Sequence, residues 1–211
     1  MHIHSFTFNP FQENTYVLHA AGEGIIVDPG CSDKNEQREL EEWLDQNGIL
    51  PVRVLLTHAH IDHVMGCAWL KERYGLLPEV HRKDLSILEA AEMQAAMFGV
   101  QCDPVPVPKN FLEEGDVIRL GDEHLDVLFV PGHAPGHVAF FNPKQRFLLG
   151  GDVLFHRSIG RTDLPGGHTN TLLKSIREEF YPLGDDVVVY SGHGPKTTIG
   201  EERRENPYVR G

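Results

Sequence analysis

The chain has 211 residues, 40% of them hydrophobic, and a formal net charge of −12 from 31 acidic and 19 basic side chains. That size sustains one sizeable α/β core, and the acidic balance repels a phosphate backbone and argues against nucleic acid as a partner. No run of 18 apolar residues is present to cross a membrane.

The first six residues lack the basic and apolar regions of a signal peptide, and Cys31, Cys67 and Cys102 form no CxxC pair. A reduced, cytoplasmic protein without a membrane partner is the expectation. Residues 1–8 and 15–19 read as strands joined by a turn at Asn9-Pro10, and residues 24–27 as a third, stopped by Asp28-Pro29-Gly30. Residues 35–47 carry Leu40, Trp43 and Leu44 at helical spacing and end at Gly48. A buried strand is expected at 52–56, then a helix from 64 to about Tyr74 with Cys67 as a small core residue and Gly75 as its stop. Residues 84–98 predict one amphipathic helix with Leu85, Leu88, Met93 and Met97 inward, and 102–108 is Pro-broken and extended. Strand-like runs recur at 117–120, 124–130, 138–141 and 146–149, before a helix at 171–180 and a final strand at 187–190. The order suggests two mixed sheets with helices outside, in a single domain over 1–211.

Between the strand at 52–56 and the next helix lies Thr57-His58-Ala59-His60-Ile61-Asp62-His63. His58 and His60 are two apart, so in extended backbone they share a side. Asp62 and His63 follow at the turn into the helix. Each has an ordinary reading taken singly, Asp62 as a helix N-cap and each His as a polar residue at an element end. Together, four groups of high desolvation cost at one strand end call for a cation. Imidazole nitrogen and carboxylate oxygen suit Zn, Fe or Mn.

Three further strand-like runs end in glycine and then His or Asp: Pro131-Gly132-His133, Gly150-Gly151-Asp152 and Ser191-Gly192-His193. A site assembled from several strand ends requires that placement, since glycine permits close backbone approach. His58, His60 and His133 suffice for one metal and Asp62, His63 and His193 for a second, with Asp152 to bridge them. An open position on each metal marks a catalytic site. Arg161 lies in a Gly-flanked loop, where it binds a substrate carboxylate or pairs with Asp163. His137 reads as a supporting residue. His156 and His168 line the same loop as Arg161, and the remaining histidines read as ordinary surface or strand residues.

The ordered set Asp28-Pro29-Gly30, the His58–His63 cluster, Pro131-Gly132-His133, Gly151-Asp152 and Gly192-His193-Gly194 resembles the metallo-β-lactamase superfamily over nearly the whole chain. The resemblance implies an α/β fold, a four-layer αββα sandwich with its site along one sheet edge. It implies Asp28 as a support beside the metals, not a ligand. Asn9-Pro10, Asn14-Thr15-Tyr16, Gly160-Arg161-Thr162-Asp163-Leu164 and His193-Gly194-Pro195 resemble short bacterial glyoxalase II-like (hydroxyacylglutathione) hydrolases. The longer enzymes of that group carry a C-terminal helical domain that binds glutathione. Only 18 residues follow His193, so that domain is expected to be missing.

The implied activity is hydrolysis of S-lactoylglutathione or a related small-molecule thioester by a metal-activated hydroxide. Two divalent metals (Zn, or Fe, Mn or a mixture) serve it, with Asp62 and Asp152 as the catalytic carboxylates. The expected assembly is a monomer or homodimer. The rival is a persulfide dioxygenase on the same scaffold, with a single Fe held by His58, His133 and Asp152.

Overall fold

Strands β1 (His2–Phe8) and β2 (Glu13–Ala20) form an antiparallel hairpin whose register pairs Phe8 with Glu13 and Ser5 with Tyr16. The turn between them is tight because Asn9 and Gln12 take positive φ. Strand β3 (Glu23–Val27) returns antiparallel to β2, and helix α1 (Lys34–Gln46) follows. Asp33 caps α1 by accepting from the Asn35 and Glu36 amides, and Leu40 and Leu44 are its buried residues. Strand β4 (Leu50–Leu55) lies parallel to β3, and the two-residue β5 (Pro78–Glu79) parallel to β4, completing a five-stranded mixed sheet in the order β1-β2-β3-β4-β5. Helix α2 (Cys67–Tyr74) begins three residues later than its sequence pattern suggests and closes on Gly75 in the left-handed conformation. Cys67 is a buried core residue there.

The computed structural model describes residues 1–211, which form two compact units. The first comprises 1–111 with 120–122; the second comprises 112–119 with 123–211. In the first, the single helix expected over 84–98 is instead broken. A 3-10 turn (Arg82–Asp84) leads into α3 (Leu85–Glu89), Ala90 interrupts, and α4 (Ala91–Phe98) follows. The inward residues are Leu88, Ala91 and Ala95, whereas Met93 and Met97 are 62% and 74% exposed. Their assignment to the core is overturned: the buried stripe takes the small residues, and the two methionines, four apart, share the opposite face.

The second sheet has six strands in the order β13-β12-β9-β8-β7-β6. These are β6 (Val117–Leu120), β7 (Glu123–Phe129), β8 (Val138–Asn142), β9 (Phe147–Gly151), β12 (Val188–Ser191) and β13 (Thr197–Thr198). Between β9 and β12 lie the small hairpin β10 (Leu154–Phe155) and β11 (Ser158–Ile159), then α5 (Thr169–Ser175) running into a π-helical turn, Ile176–Phe180. Strand β12 is not the last, because β13 pairs with it antiparallel and α6 (Ile199–Glu205) follows. Strands β8 and β9 are buried along their whole length, and Val130, Leu148, Leu172, Phe180 and Val189 are among the residues of this unit's core. The strands to either side of β9 therefore end in fixed positions, with their loops carrying the polar residues.

Candidate functional site

In the first unit, the parallel strands β3 and β4 end side by side and exchange a polar tie. Asp28 Oδ1 accepts the Thr57 amide at 2.7 Å and Asp28 Oδ2 accepts the Thr57 hydroxyl at 2.6 Å. Asp28 takes φ 51°, a left-handed conformation that Asp tolerates better than bulkier residues. Having donated to Asp28, the Thr57 hydroxyl accepts from His58 Nδ1 at 3.0 Å, which leaves Nε2 as the ring nitrogen able to coordinate a metal. Ala59, between the two ligand candidates, has its amide fixed by Asp84 Oδ2 at 3.1 Å. The rings of His58 and His60 meet edge-on with centroids 4.7 Å apart, and those of His58 and His63 lie 4.1 Å apart.

A 3-10 turn (Ile61–His63) carries the rest of the cluster. Asp62 caps no helix, since the residue that precedes α2 is Gly66. Instead Asp62 Oδ2 stands 3.6 Å from His63 Nε2, and its backbone carbonyl accepts from Asn9 Nδ2 at 2.9 Å. His63 Nδ1 faces Asp28 Oδ2 at 3.1 Å and Glu13 Oε1 at 3.9 Å. Burial pushes the Glu13 carboxyl well above the usual carboxylate range, with His63 pulling the other way.

In the second unit, the loops after β7, β9 and β12 carry His133, Asp152 and His193. His133 Nε2 and His193 Nε2 each stand 3.5 Å from the same atom, Asp152 Oδ2. His133 Nδ1 donates to the Arg161 carbonyl at 2.8 Å, which again turns Nε2 inward. The Asp152 amide donates to His137 Nε2 at 3.0 Å, so His137 holds the backbone that carries the carboxylate. Gly192 N donates to the Gly151 carbonyl at 2.8 Å and ties the His193 loop to the end of β9. The Arg161 guanidinium makes a bidentate pair with Asp163, at 2.7 and 2.8 Å, and holds that carboxyl down at about 2. His168 caps α5 by accepting from Thr171, and His156 lies beside Glu201 and Glu202.

These separations fit a metal. Nitrogen and oxygen at 3.5 to 3.6 Å are too far apart for a hydrogen bond. Two ligand atoms each bound to one tetrahedral ion at about 2.0–2.2 Å stand about 3.3–3.6 Å from each other. The donor set, imidazoles and carboxylates without thiolate, is that of Zn, Fe or Mn. Sequence reasoning missed Glu13 and Asp84: Glu13 falls before the strand expected at 15–19, Asp84 is the first residue of the helix expected over 84–98, and only tertiary packing buries them.

A family model described as the metallo-beta-lactamase superfamily matches residues 8–193. The chain belongs to the metallo-β-lactamase superfamily. It is a metallo-hydrolase of that superfamily and has its α/β sandwich fold, mixed sheets flanked by helices, as the motif order implies. It is 37% identical to the hydroxyacylglutathione hydrolase GloC of Haemophilus influenzae, over 99% of this chain and 98% of that one. It is similar to the solved structure of the BLEG-1 B3 metallo-beta-lactamase, with TM-score 0.90 and 34% identity over 100% of both chains. It is also similar to TTHA1623 in a di-iron-bound form, with TM-score 0.88 and 39% identity over 98% of this chain and 100% of that one. In this metallo-β-lactamase domain no helix is long and apolar enough to cross a membrane.

Proposed function

We propose that this metallo-hydrolase is a glyoxalase II-like thioesterase acting on S-lactoylglutathione or a related thiol ester. The observation that carries the reading is the convergence of His133 Nε2 and His193 Nε2 on one oxygen of Asp152, each at 3.5 Å. A carboxylate approached in this way is suited to bridging two ions. The choice of a thioester rests on the likeness to GloC.

The ligand sets we assign are His58, His60 and His133 for one metal and Asp62, His63 and His193 for the other, with Asp152 shared. The local geometry in each unit supports this, as do the Nδ1 bonds that turn Nε2 of His58 and His133 toward coordination. Divalent metals held there supply an activated water and polarise a substrate carbonyl. The protein residues set the geometry: Thr57, Asp28 and Arg161 fix the imidazole rings, and His137 fixes Asp152. The di-iron form of TTHA1623 supports iron, beside zinc, as a native metal. Three free thiols suit a reducing, cytoplasmic compartment.

The deciding experiment measures metal per chain and S-lactoylglutathione turnover on the same sample, purified without chelator. Two metals with turnover are expected, and Asp152→Ala is expected to lose both while its circular dichroism stays that of the parent. One iron with O₂ uptake on a persulfide, or turnover of a β-lactam alone, would replace the thioesterase reading.

A further inference from the structure

Glu13 opens β2, a strand whose first six residues are all buried. Its carboxylate is fully buried and one oxygen, Oε2, accepts from the Thr15 hydroxyl at 2.9 Å. The other, Oε1, has no hydrogen-bond partner. A buried carboxylate oxygen left in that state is costly, and a neutral residue of the same size would remove the cost. The surroundings are built to hold it nonetheless. Gly30 passes so close that a Cβ there would overlap the Glu13 carboxylate, and the Gly30 amide donates to Thr15 Oγ1 at 2.8 Å.

What Oε1 faces is His63 Nδ1, at 3.9 Å. The same nitrogen faces Asp28 Oδ2 at 3.1 Å, but that oxygen already accepts the Thr57 hydroxyl at 2.6 Å. Asp28 Oδ2 has a second lone pair and is the oxygen within hydrogen-bond range of Nδ1. Glu13 Oε1, beyond that range, is a second carboxylate oxygen on the same side and is committed to nothing else. A metal-bound imidazole needs its second nitrogen held by an acceptor, which fixes both ring orientation and tautomer.

We infer that Glu13 is a positioning residue for His63, completing with Asp28 a two-carboxylate seat that turns the ring's Nε2 toward its metal. The inference rests on the proposed role of His63 as a ligand, and it acts through His63 without touching substrate. It needs a polar oxygen at Oε1, facing the Nδ1 side of the ring at a distance where the attraction is electrostatic and not a hydrogen bond; it does not need a full charge on Glu13.

The test uses Glu13→Met, which keeps the volume and removes the polar oxygen, and Glu13→Gln, which keeps both. Each apoprotein is titrated with Zn²⁺ against a chromophoric chelator, a readout independent of any substrate. Wild type is expected to bind two equivalents. Glu13→Met is expected to weaken one of them by about 10- to 100-fold, the usual effect of losing such a partner. Glu13→Gln is expected to stay close to wild type. Equal affinities in wild type and Glu13→Met, or equal losses in Met and Gln, would overturn the inference. So would three equivalents in wild type falling to two in Glu13→Met, in favour of a cation seated among Glu13, Asp28 and His63. If Glu13→Met does not fold, the His63 Nδ1–H resonance decides: it is expected to shift between wild type and Glu13→Gln, and an unchanged resonance would refute the contact. A wild-type chain that binds no metal would sink the functional reading instead.

Discussion

The backbone amide of Asp152 donates to Nε2 of His137 at 3.0 Å, and both residues are buried. The bond requires an unprotonated Nε2, so His137 carries its proton on Nδ1 and supports Asp152 as an acceptor. His137→Leu strands the amide in the core and is expected to cost about 1–3 kcal/mol. Metal affinity is expected to fall with it, because the carboxylate approached by His133 and His193 is no longer held. His137→Gln, whose side-chain oxygen can accept the same amide, is expected to recover part of both. Thermal unfolding and chelator titration on the three proteins check this. A His137→Leu protein with parental stability and affinity would refute the supporting role.

The Arg161–Asp163 pair gives a sharper choice. Both side chains are more than half exposed, so the pair adds little to stability. Its consequence for substrate is testable. Asp163→Asn frees the guanidinium and is expected to lower KM for an anionic thioester with kcat unchanged, while Arg161→Ala is expected to raise KM. Unchanged KM in both variants would make the pair a feature of the loop alone. The titration has a definite sign. The folded-state pKa of Asp163 is depressed to about 2 from an ordinary 3.8, so the pair is complete above the ordinary value and is lost as pH falls through about 2. In Arg161→Ala the carboxyl is expected to titrate near its ordinary value, which NMR of the side-chain carbon reads directly.

Much of this was legible in the sequence, for a specific reason. The β9 and β12 runs read as apolar strands stopped by glycine, and the structure puts Asp152 and His193 directly past those ends. Apolar runs and glycine stops are local signals, so they survive the step from sequence to fold. Asp28 was legible only through its motif, because nothing in Asp28-Pro29-Gly30 announces a tie to Thr57 on another strand. Glu13 and Asp84 carried no local signal at all: a carboxylate at an element's first or last turn is ordinarily exposed, and here each is buried by residues far along the chain. The break at Ala90 was equally silent, since Glu89-Ala90-Ala91-Glu92 has high helix propensity throughout.

That break yields its own prediction. Leu88 is 4% exposed and Met97 is 74% exposed. Leu88→Ala is expected to cost about 2–5 kcal/mol, the range for a truncated core aliphatic. Met97→Gln is expected to change stability by no more than about 0.5 kcal/mol. Urea unfolding of the two variants checks which face of the segment is buried; a loss in Met97→Gln comparable to that in Leu88→Ala would put Met97 in the core.

Gly160 separates a spatial requirement from a conformational one. A Cβ built there would overlap the carbonyl oxygen of Asp152 and stand 3.2 Å from His133 Nδ1. Both neighbours are held, the first in backbone and the second by its bond to the Arg161 carbonyl, so neither is a flexible end that can give way. Gly160→Ala must therefore move Asp152 or His133, and loss of metal affinity and of turnover is expected together with reduced stability. Gly75 is the control. It takes φ +72° at the end of α2, and a Cβ there meets nothing within 4 Å. Gly75→Ala is expected to cost about 1–2 kcal/mol for the left-handed conformation alone, with metal content and turnover at parental values. If Gly160→Ala keeps its metal, the close packing of residue 160 on Asp152 is not what holds that carboxylate in place.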